Sequence, residues 1–399
     1  MDLSPTFIHT TKTTILIYIY YYNKTKMKLI ILKKNLKDGL RSIEKICAEN
    51  QSLPILKNFL IESFDNKIKL AATNLELAIT TFISGKIIEN GSITIPLNIF
   101  NSIINNLQVE KINLELKKDK LIIKTDNYQA EIQGIKKEEF PIIPKIENNK
   151  QYIQIKNSLL KEALVSVINS VTTDNRPELS GILFDHQTTL LKLAATDTFR
   201  LSEKTINNNQ FESTFSNNFK IIIPLKTIQE VIKEIQINDE QKTEIFIDSN
   251  QILFKTENTE IISRLINGEF PDYQQIIPKN IEVEMILSAE EFINAVKLNS
   301  VFSDRFNEIK IIINKDAKNI EVFSASQSVG ENKYLVPAKI HKMAESQMEI
   351  SFNWRFLLDG LKNVKSENVF LGLNDSNKPA IIKSSQDESW FYILMPIKN

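Results

Sequence analysis

The feature that most restricts the fold of this chain is an internal repeat. The run Lys-Leu-Ala-Ala-Thr occurs at 69–73 and again at 192–196, which is 123 positions later. The surrounding segments 53–79 and 176–202 align without a gap, and a weaker third copy begins at Arg305. Self-similarity at a fixed spacing is the signature of a chain built from several copies of one structural unit.

Other segments follow the same order along the chain. Residues 92–107, 220–235 and 347–364 each combine an apolar strand pattern with an amphipathic helix, and "EEFPIIP" (138–144) and "GEFPDYQQIIP" (268–278) each close a unit. The sequence therefore predicts three copies of one domain of about 120 residues, a usual domain size. The predicted divisions are a leader at 1–26 and domains at 27–147, 148–278 and 279–399.

Each copy is predicted to be α+β. Alternating stretches such as "NKIKLAAT" predict half-buried antiparallel strands. Leu36, Leu40, Ile43 and Cys47 recur at helical spacing, so we expect helices that cover one side of the antiparallel sheets. The run 288–291 predicts a capping box at the start of a helix in the third copy.

The leader differs from the rest of the chain. Its apolar stretch Thr13–Tyr22 is too short for a membrane-spanning helix, and no small-residue cleavage site follows it. We therefore interpret Met27 as the start of translation, and a membrane-anchored protein stays open only if the leader is real. The single cysteine, Cys47, excludes an internal disulfide and favours a reducing compartment.

The sequence has few features of an enzyme. Its nine glycines are never closer than six residues apart, which excludes a Walker loop and a dinucleotide fingerprint. No Cys/His spacing fits a zinc site. Asp197 follows the second repeated strand, but its counterpart is Asn74, so a turn-forming role is favoured over acid–base chemistry. His186 is interpreted as a solvated residue of a hairpin turn, and a hydrolase that uses Asp197 and His186 is the enzymatic alternative.

The net charge is zero, with 49 basic and 49 acidic residues, so only the placement of charge can indicate a polyanionic partner. Cations recur on the faces opposite the apolar stripes of equivalent helices, although Glu230 and Glu234 dilute them in the second copy. Any one such stripe is more often a solvated helix face, but the recurrence favours binding to phosphates. The cations are Lys37, Arg41 and Lys45, then Lys226 and Lys233, then Arg355, Lys362 and Lys365.

The repeats and closing motifs together resemble the bacterial sliding clamp, the beta subunit of DNA polymerase III. The likeness extends from Met27 to Asn399, and the leader has no counterpart in the family. The motifs that carry it are "SLPILKNFLIE", "EEFPIIP", "RPELSGILF", "LAATDTFRLS", "SRLINGEFPDYQQIIP" and "YILMPIKN".

The resemblance implies a non-catalytic processivity factor without cofactor or metal. Two copies would join head to tail into a ring of six domains, with two helices per domain lining the hole. Twelve helices spaced about 8–10 Å apart give a hole about 30–40 Å across. The implied partners are double-stranded DNA bound without sequence preference, a second copy of the chain, the replicative polymerase alpha subunit, clamp-loader subunits, repair polymerases, and ligase or mismatch-repair proteins. The implied location is the cytoplasm, on the nucleoid.

The resemblance also implies a hydrophobic pocket that captures short peptides from these partners. It implies a subunit interface formed by Val301 and Phe302 with Ile132 of the other copy. The pocket residues carried over by position are Leu179, Thr196, Arg200, Leu201, Pro271, Ile276, Ile393, Met395, Pro396 and Ile397.

The chain departs from the family pattern in three places. Thr198-Phe199 stands where the family usually has Gly-His, Asn399 where it tends to have Leu, and Asn50 where an arginine that contacts DNA is often found. The first departure affects the predicted preference for partner peptides, and the last affects DNA contacts. A peptide-binding scaffold that does not bind DNA is the main alternative function.

Overall fold

The computed structural model describes residues 26–48, 53–147, 150–172, 176–236, 240–343 and 345–398. The predictions about the leader up to residue 25, about Asn50 and about Asn399 lie outside these ranges. The chain divides into two compact units. One takes the chain up to Tyr152 together with Gln241–Arg264, and the other takes Ile153–Glu240 together with the chain from Leu265 onward.

The first repeat is described from Lys26 onward. Its elements are β1 (Lys26–Leu32), α1 (Lys33–Ala48), β2 (Asn58–Phe64), β3 (Lys67–Thr73), β4 (Leu77–Ile83), β5 (Lys86–Glu89), β6 (Gly91–Pro96), α2 (Leu97–Asn106), β7 (Lys111–Lys117), β8 (Lys120–Lys124) and β9 (Gln129–Gln133).

The second repeat has the same order of elements. They are β10 (Tyr152–Lys156), α3 (Asn157–Ile168), β11 (Gly181–Gln187), β12 (Leu190–Thr196), β13 (Arg200–Asn207), β14 (Phe211–Ser213), β15 (Phe219–Pro224), α4 (Leu225–Glu234), β16 (Lys242–Ile247), β17 (Gln251–Lys255) and β18 (Thr259–Arg264).

The third repeat differs mainly in one long strand, β22. Its elements are β19 (Val283–Ser288), α5 (Ala289–Ser300), β20 (Glu308–Asn314), β21 (Asn319–Ser326), β22 (Gly330–Lys342), β23 (Gln347–Asn353), α6 (Trp354–Leu361), β24 (Asn368–Leu373), β25 (Ala380–Ser384) and β26 (Trp390–Leu394).

Antiparallel sheets form the framework of both units. The first unit contains the strand orders β5-β1-β7-β8-β9 and β16-β17-β18-β4-β3-β2-β6. The second contains the order β15-β11-β12-β13-β26-β25-β24-β19-β22-β21-β20-β23. The two helices of each repeat pack against each other. The predicted α+β class and the three tandem copies are confirmed.

The repeat read from the sequence is a repeat of structure. Strands β2, β3 and β4 begin at the same positions as β11, β12 and β13 after a shift of 123 residues. A 3₁₀ turn that begins with proline, at Pro54 and at Pro177, precedes each set. The same local sequence has produced the same three-stranded meander twice.

The helices form where the apolar periodicity predicts them. Leu36, Leu40, Ile43 and Cys47 are all buried on one face of α1, which packs on β3 and β4. Helix α5 begins after Ser288, whose hydroxyl accepts a 3.4 Å hydrogen bond from the backbone N–H of Glu291. This bond satisfies one of the amide groups left unpaired at a helix start.

Two predictions about local structure are wrong. Helix α6 ends at Leu361, so Lys362 is its C-cap and Lys365 lies beyond it. His186 is not a solvated turn residue, because β11 continues to Gln187 and places the His186 side chain on its buried face. The imidazole stacks on Phe219, with ring centroids 4.8 Å apart, and hydrogen-bonds to Ser213 Oγ at 2.9 Å.

Candidate functional site

The repeated Lys-Leu-Ala-Ala-Thr strands end in the same turn. In the second copy, Asp197 Oδ1 accepts hydrogen bonds of 3.0 Å from the backbone N–H groups of Phe199 and Arg200. In the first copy, Asn74 Oδ1 accepts the equivalent bonds from Glu76 and Leu77, at 3.1 and 2.8 Å. An amide performs the role as well as a carboxylate, because only an acceptor oxygen is needed. The turn-forming interpretation of Asp197 is confirmed.

The turn leads into the part of the second unit where most of the predicted pocket residues lie. Strand β13 pairs with β26, so that Arg200 stands opposite Leu394 and Leu201 opposite Ile393. Beyond the end of β26, the backbone N–H of Met395 donates a 2.8 Å hydrogen bond to the Phe199 carbonyl. Two segments almost 200 positions apart in sequence are thereby joined edge to edge.

A connecting segment carries Pro271 and Ile276 to the same place. Its Tyr273 belongs to a buried cluster with Leu201 and Ile393. The Tyr273 hydroxyl donates a 2.6 Å hydrogen bond to Glu203 Oε2. Pro271 and Ile276 flank this anchor and are exposed, so they are positioned at the rim of the apolar cluster.

The predicted pocket residues fall into two groups, buried residues that support the site and more exposed residues that form its surface. Leu179, Thr196, Leu201, Ile393 and Pro396 are buried. Pro271, Ile276, Met395 and Ile397 are partly or fully exposed and able to contact a ligand. Thr196 supports the turn, since its hydroxyl donates a 2.7 Å hydrogen bond to the Arg200 carbonyl.

Arg200 is held between two carboxylates. Its Nε donates to Asp197 Oδ2 at 2.8 Å and its Nη1 donates to Asp359 Oδ2 at 2.6 Å. Burial works against the Arg200 charge, but its contacts with Tyr392 and the two carboxylates outweigh burial and raise the pKa of the guanidinium above its ordinary value. The guanidinium carbon lies 4.2 Å from the centre of the Phe356 ring. Arg200 is therefore fixed in place by its neighbours.

The sequence did not predict that Phe356 and Asp359 belong to this site. Both lie on α6, and Asp359 reaches Arg200 across 159 positions. The apolar stripe of α6 indicates only which face of the helix is buried. No pattern in one sequence could have joined this helix to the turn at Asp197.

The first unit contains a counterpart of this site with the same strand pairing. Strand β4 pairs with β18, and the Arg264 N–H donates to the Glu76 carbonyl at 2.9 Å, as Met395 does to Phe199. Here the side chains form an ion pair, with 3.6 Å between Arg264 Nη1 and Glu76 Oε1. The adjoining cavity has a volume of about 20 Å³, which is room for little more than a water molecule.

The predicted basic faces lie on helix surfaces or just beyond them. Lys37, Arg41, Lys45, Lys226 and Arg355 are exposed on α1, α4 and α6. Lys362 and Lys365 are exposed after α6, and Lys365 Nζ forms a 2.8 Å ion pair with Glu162.

Lys233 differs from the other cations. It is only partly exposed, and its Nζ lies 3.4 Å from Glu230 and 4.0 Å from Glu234. Its charge is therefore largely compensated within α4.

The predicted interface residues differ in their exposure. Val301, at the end of α5, is 64% exposed, and Phe302 is partly exposed. Ile132 is only 5% exposed because its side chain lies on the buried face of strand β9. The predicted contact between Ile132 and another subunit stays a prediction, and strand β9 lies at the edge of its sheet.

Three tandem α+β repeats, each with two packed helices beside antiparallel sheet, define the sliding-clamp class of proteins. Models of three domains of the DNA polymerase III beta subunit match this chain. The N-terminal domain matches residues 27–144, the central domain 154–272 and the C-terminal domain 274–398. The chain therefore belongs to the DNA polymerase III beta subunit family, and it is a non-catalytic DNA polymerase processivity factor.

Individual relatives agree with this assignment. The beta sliding clamp of Bacillus subtilis is 26% identical over 385 residues, which cover 93% of this chain and 100% of that protein. The beta sliding clamp of Chlamydia pneumoniae is 28% identical and covers 93% of this chain and 99% of its own length. The crystal structure of the B. subtilis clamp superposes with a TM-score of 0.87 at 25% identity, over 94% of this chain and 99% of that one. Within the described ranges, no helix has the length and apolarity needed to span a bilayer.

Proposed function

We propose that two copies of this chain close head to tail into a ring around duplex DNA. The observation that carries this proposal is a pattern of strand pairing. The strand after the repeated turn pairs with the last strand of the following repeat twice, as β4 with β18 and β13 with β26. Each pairing extends an antiparallel sheet by a shared edge.

The third member of this pattern is left for a second subunit. The equivalent of β13 in the third repeat is the first part of β22, where residues 330–337 pair with β21, while β19 pairs only with residues 338–342. The last strand of the first repeat, β9, is the equivalent of β18 and β26, and it is an edge strand of its sheet. Exposed sheet edges are templates for pairing with another chain. We assign β22 of one copy to β9 of the other.

Exposed apolar side chains support this interface. Val301, Phe306, Val329 and Leu335 are all exposed in the third repeat. Large apolar side chains left exposed in this way are typical of a surface that is covered in an assembly. The proposed assembly is a homodimer with a second, identical junction.

The exposed cations would contact the DNA phosphates loosely and would not bind any one DNA sequence tightly. Seven of the eight predicted cations are exposed, and Lys233 is the exception. Lysine and arginine contacts to phosphates carry no sequence information and weaken as salt rises. Ring closure, not affinity, would then keep the protein on DNA.

The surface around Arg200 and Met395 would bind short peptides from partner proteins. It combines exposed apolar residues with a backbone fixed by β13 and β26, as expected for a preformed recognition site. The partners proposed for it are the polymerase alpha subunit, clamp-loader subunits, repair polymerases, and ligase or mismatch-repair proteins. We further propose domain bounds of 27–147, 148–278 and 279–399, and a cytoplasmic location on the nucleoid.

The decisive experiment separates encirclement from ordinary binding. The protein is loaded onto nicked circular DNA by a clamp loader with ATP, and half of the sample is then linearised. A ring stays on circles at high salt and runs off linear ends. Equal loss from both samples contradicts encirclement and favours a peptide-binding scaffold.

A substitution tests the subunit interface. Val301→Asp places a charge in the proposed contact, so sedimentation is expected to show monomers where the unchanged protein sediments as a dimer. Leu75→Asp, at another exposed apolar residue, is the control and should leave the dimer intact. A Val301→Asp protein that still sediments as a dimer would refute the assignment.

A further inference from the structure

The proposed peptide surface carries Phe199, which together with Thr198 stands where the family usually has Gly-His. Phe199 is 61% exposed. Its ring stacks beside Phe356, with centroids 6.5 Å apart and an angle of 28° between the planes. We call Phe199 and Phe356 the aromatic shelf. Phe199 presents a flat apolar surface to a ligand, and Phe356 is partly buried beside it.

Backbone contacts hold both sides of the shelf. The Phe199 carbonyl accepts the hydrogen bond from Met395, and the Tyr392 hydroxyl donates to the Phe356 carbonyl at 2.9 Å. Arg200 lies against the Phe356 ring. The backbone beneath the shelf is therefore preformed, which lowers the entropy lost when a ligand binds.

Arg200, which lies against the Phe356 ring, forms ion pairs with two carboxylates. Arg200 contributes one positive charge, and Asp197 and Asp359, both in direct contact with it, contribute two negative charges. The guanidinium is already occupied by these carboxylates, so it is not available to pair with an acid from a ligand. A carboxylate placed over the shelf would meet an excess negative charge.

We propose that the aromatic shelf makes this clamp selective for partner peptides that place an aromatic side chain over Phe199, and against peptides that place an acidic residue there. The inference rests on the proposed peptide surface and specifies the chemistry of its ligand. Aromatic side chains gain from stacking beyond the area they bury, and the excess carboxylate disfavours Asp or Glu at the same position.

The test uses fluorescein-labelled decapeptides that end in Leu-Phe, an apolar anchor chosen to bind the apolar part of the surface. Phe, Ser or Asp is placed in turn at each preceding position. Binding is measured by fluorescence anisotropy. At one position, Phe is expected to bind about 3- to 10-fold more tightly than Ser, and Asp more weakly than Ser. The penalty for Asp should shrink at high salt, because exposed charges are screened.

Variants assign the effect to the shelf. Phe199→Ser should reduce the ratio of Phe to Ser binding to about 1 while the anchor still binds, and Asp359→Asn should relax the penalty for Asp only. Phe64→Ser, at an exposed phenylalanine of the first unit, is the matched control and should change neither ratio. Thermal unfolding checks that each variant is folded.

The outcomes separate the two proposals. If Phe199→Ser leaves the preference for Phe unchanged, the shelf does not select the ligand, although the peptide surface stands. Met395 is one of the partly exposed pocket residues, and Met395→Asp should abolish binding of every peptide. If it does not, or if no peptide binds the unchanged protein, the proposed surface itself is wrong and the selectivity fails with it.

Discussion

The hydroxyl of Tyr273 donates a 2.6 Å hydrogen bond to Glu203, and both side chains are buried. This bond ties the segment that carries Pro271 and Ile276 to the middle of β13. Glu203 also forms a 3.3 Å ion pair with Lys192. The rim of the peptide surface is thus attached to the repeated sheet by this hydrogen bond as well as by apolar packing.

Tyr273→Phe is expected to lower the free energy of unfolding of the second unit by about 1–3 kcal/mol, because Glu203 loses a buried donor. Burial, and then the adjacent Glu203, raise the pKa of Tyr273 above its ordinary value. The contribution of the phenol is therefore full below its unfolded pKa of about 10 and is lost as pH rises above it.

Urea unfolding at pH 8 and at pH 10.5 measures both effects of Tyr273→Phe. Tyr128→Phe, at a partly exposed residue, serves as the control. Equal stability of Tyr273→Phe and the unchanged protein would show that the hydrogen bond contributes nothing net.

Cys47 should react slowly with iodoacetamide in the folded protein. Burial raises the pKa of its thiol to about 12, and only the thiolate is a good nucleophile. The raised pKa means that the thiol contributes stability below its unfolded pKa of about 8.5, and this contribution falls as pH rises further. Alkylation followed by mass spectrometry at pH 7.5 and 9.5, with and without guanidinium chloride, checks this. Modification of the folded protein at the rate of a free thiol would contradict the burial.

Lys204 links α3 to the segment before β26. Its side chain is 6% exposed, with Nζ 3.2 Å from Glu162 and 3.0 Å from Asp387. Lys204→Met should lower the free energy of unfolding by about 1–3 kcal/mol. This is less than the loss expected on breaking a fully buried ion pair, because both acids are partly solvated. Lys365→Met, which removes an exposed partner of Glu162, should cost less than about 1 kcal/mol.

The acid dependence of stability should change in Lys204→Met. Burial opposes the Asp387 charge, but hydrogen bonds from Ser389 and Lys204 outweigh it and lower the pKa of Asp387. Its contribution is present above its unfolded pKa of about 4 and is lost as pH falls through the folded value. The free energy of unfolding, measured between pH 3 and 7, should therefore depend less on pH in Lys204→Met than in the unchanged protein. The same dependence on pH in both proteins would contradict this role.

Thr198→Gly is expected to raise stability by about 0.5–1 kcal/mol. The turn gives Thr198 a φ of +76°, a left-handed conformation that is strained for a β-branched residue and favourable for glycine. Leu75, with a φ of +78° at the same position of the first repeat, offers Leu75→Gly as a matched comparison with the same expected sign. Thermal unfolding of both variants measures the change, and a loss of stability in both would refute the strain.

The repeat, the α+β class and the turn at Asp197 were predictable from the sequence because each depends on local patterning. Alternation places Leu70 and Leu193 on the buried faces of their strands, and both are buried. The role of Asp197 followed from the asparagine in its counterpart position. Helix α1 was predictable for the same reason, since its apolar residues lie within one 16-residue segment.

The surroundings of Arg200, His186 and Ile132 were decided by tertiary structure. Asp359 reaches Arg200 from a helix in another repeat, and Phe219 and Ser213 enclose His186 from neighbouring segments. Ile132 alternates with exposed neighbours, and only sheet packing shows which face is buried. Periodicity determines which face of an element is apolar, but the partner of that face depends on contacts between residues far apart in sequence. The sequence by itself therefore determined the repeats and their buried faces, and the tertiary structure decided what surrounds each functional side chain.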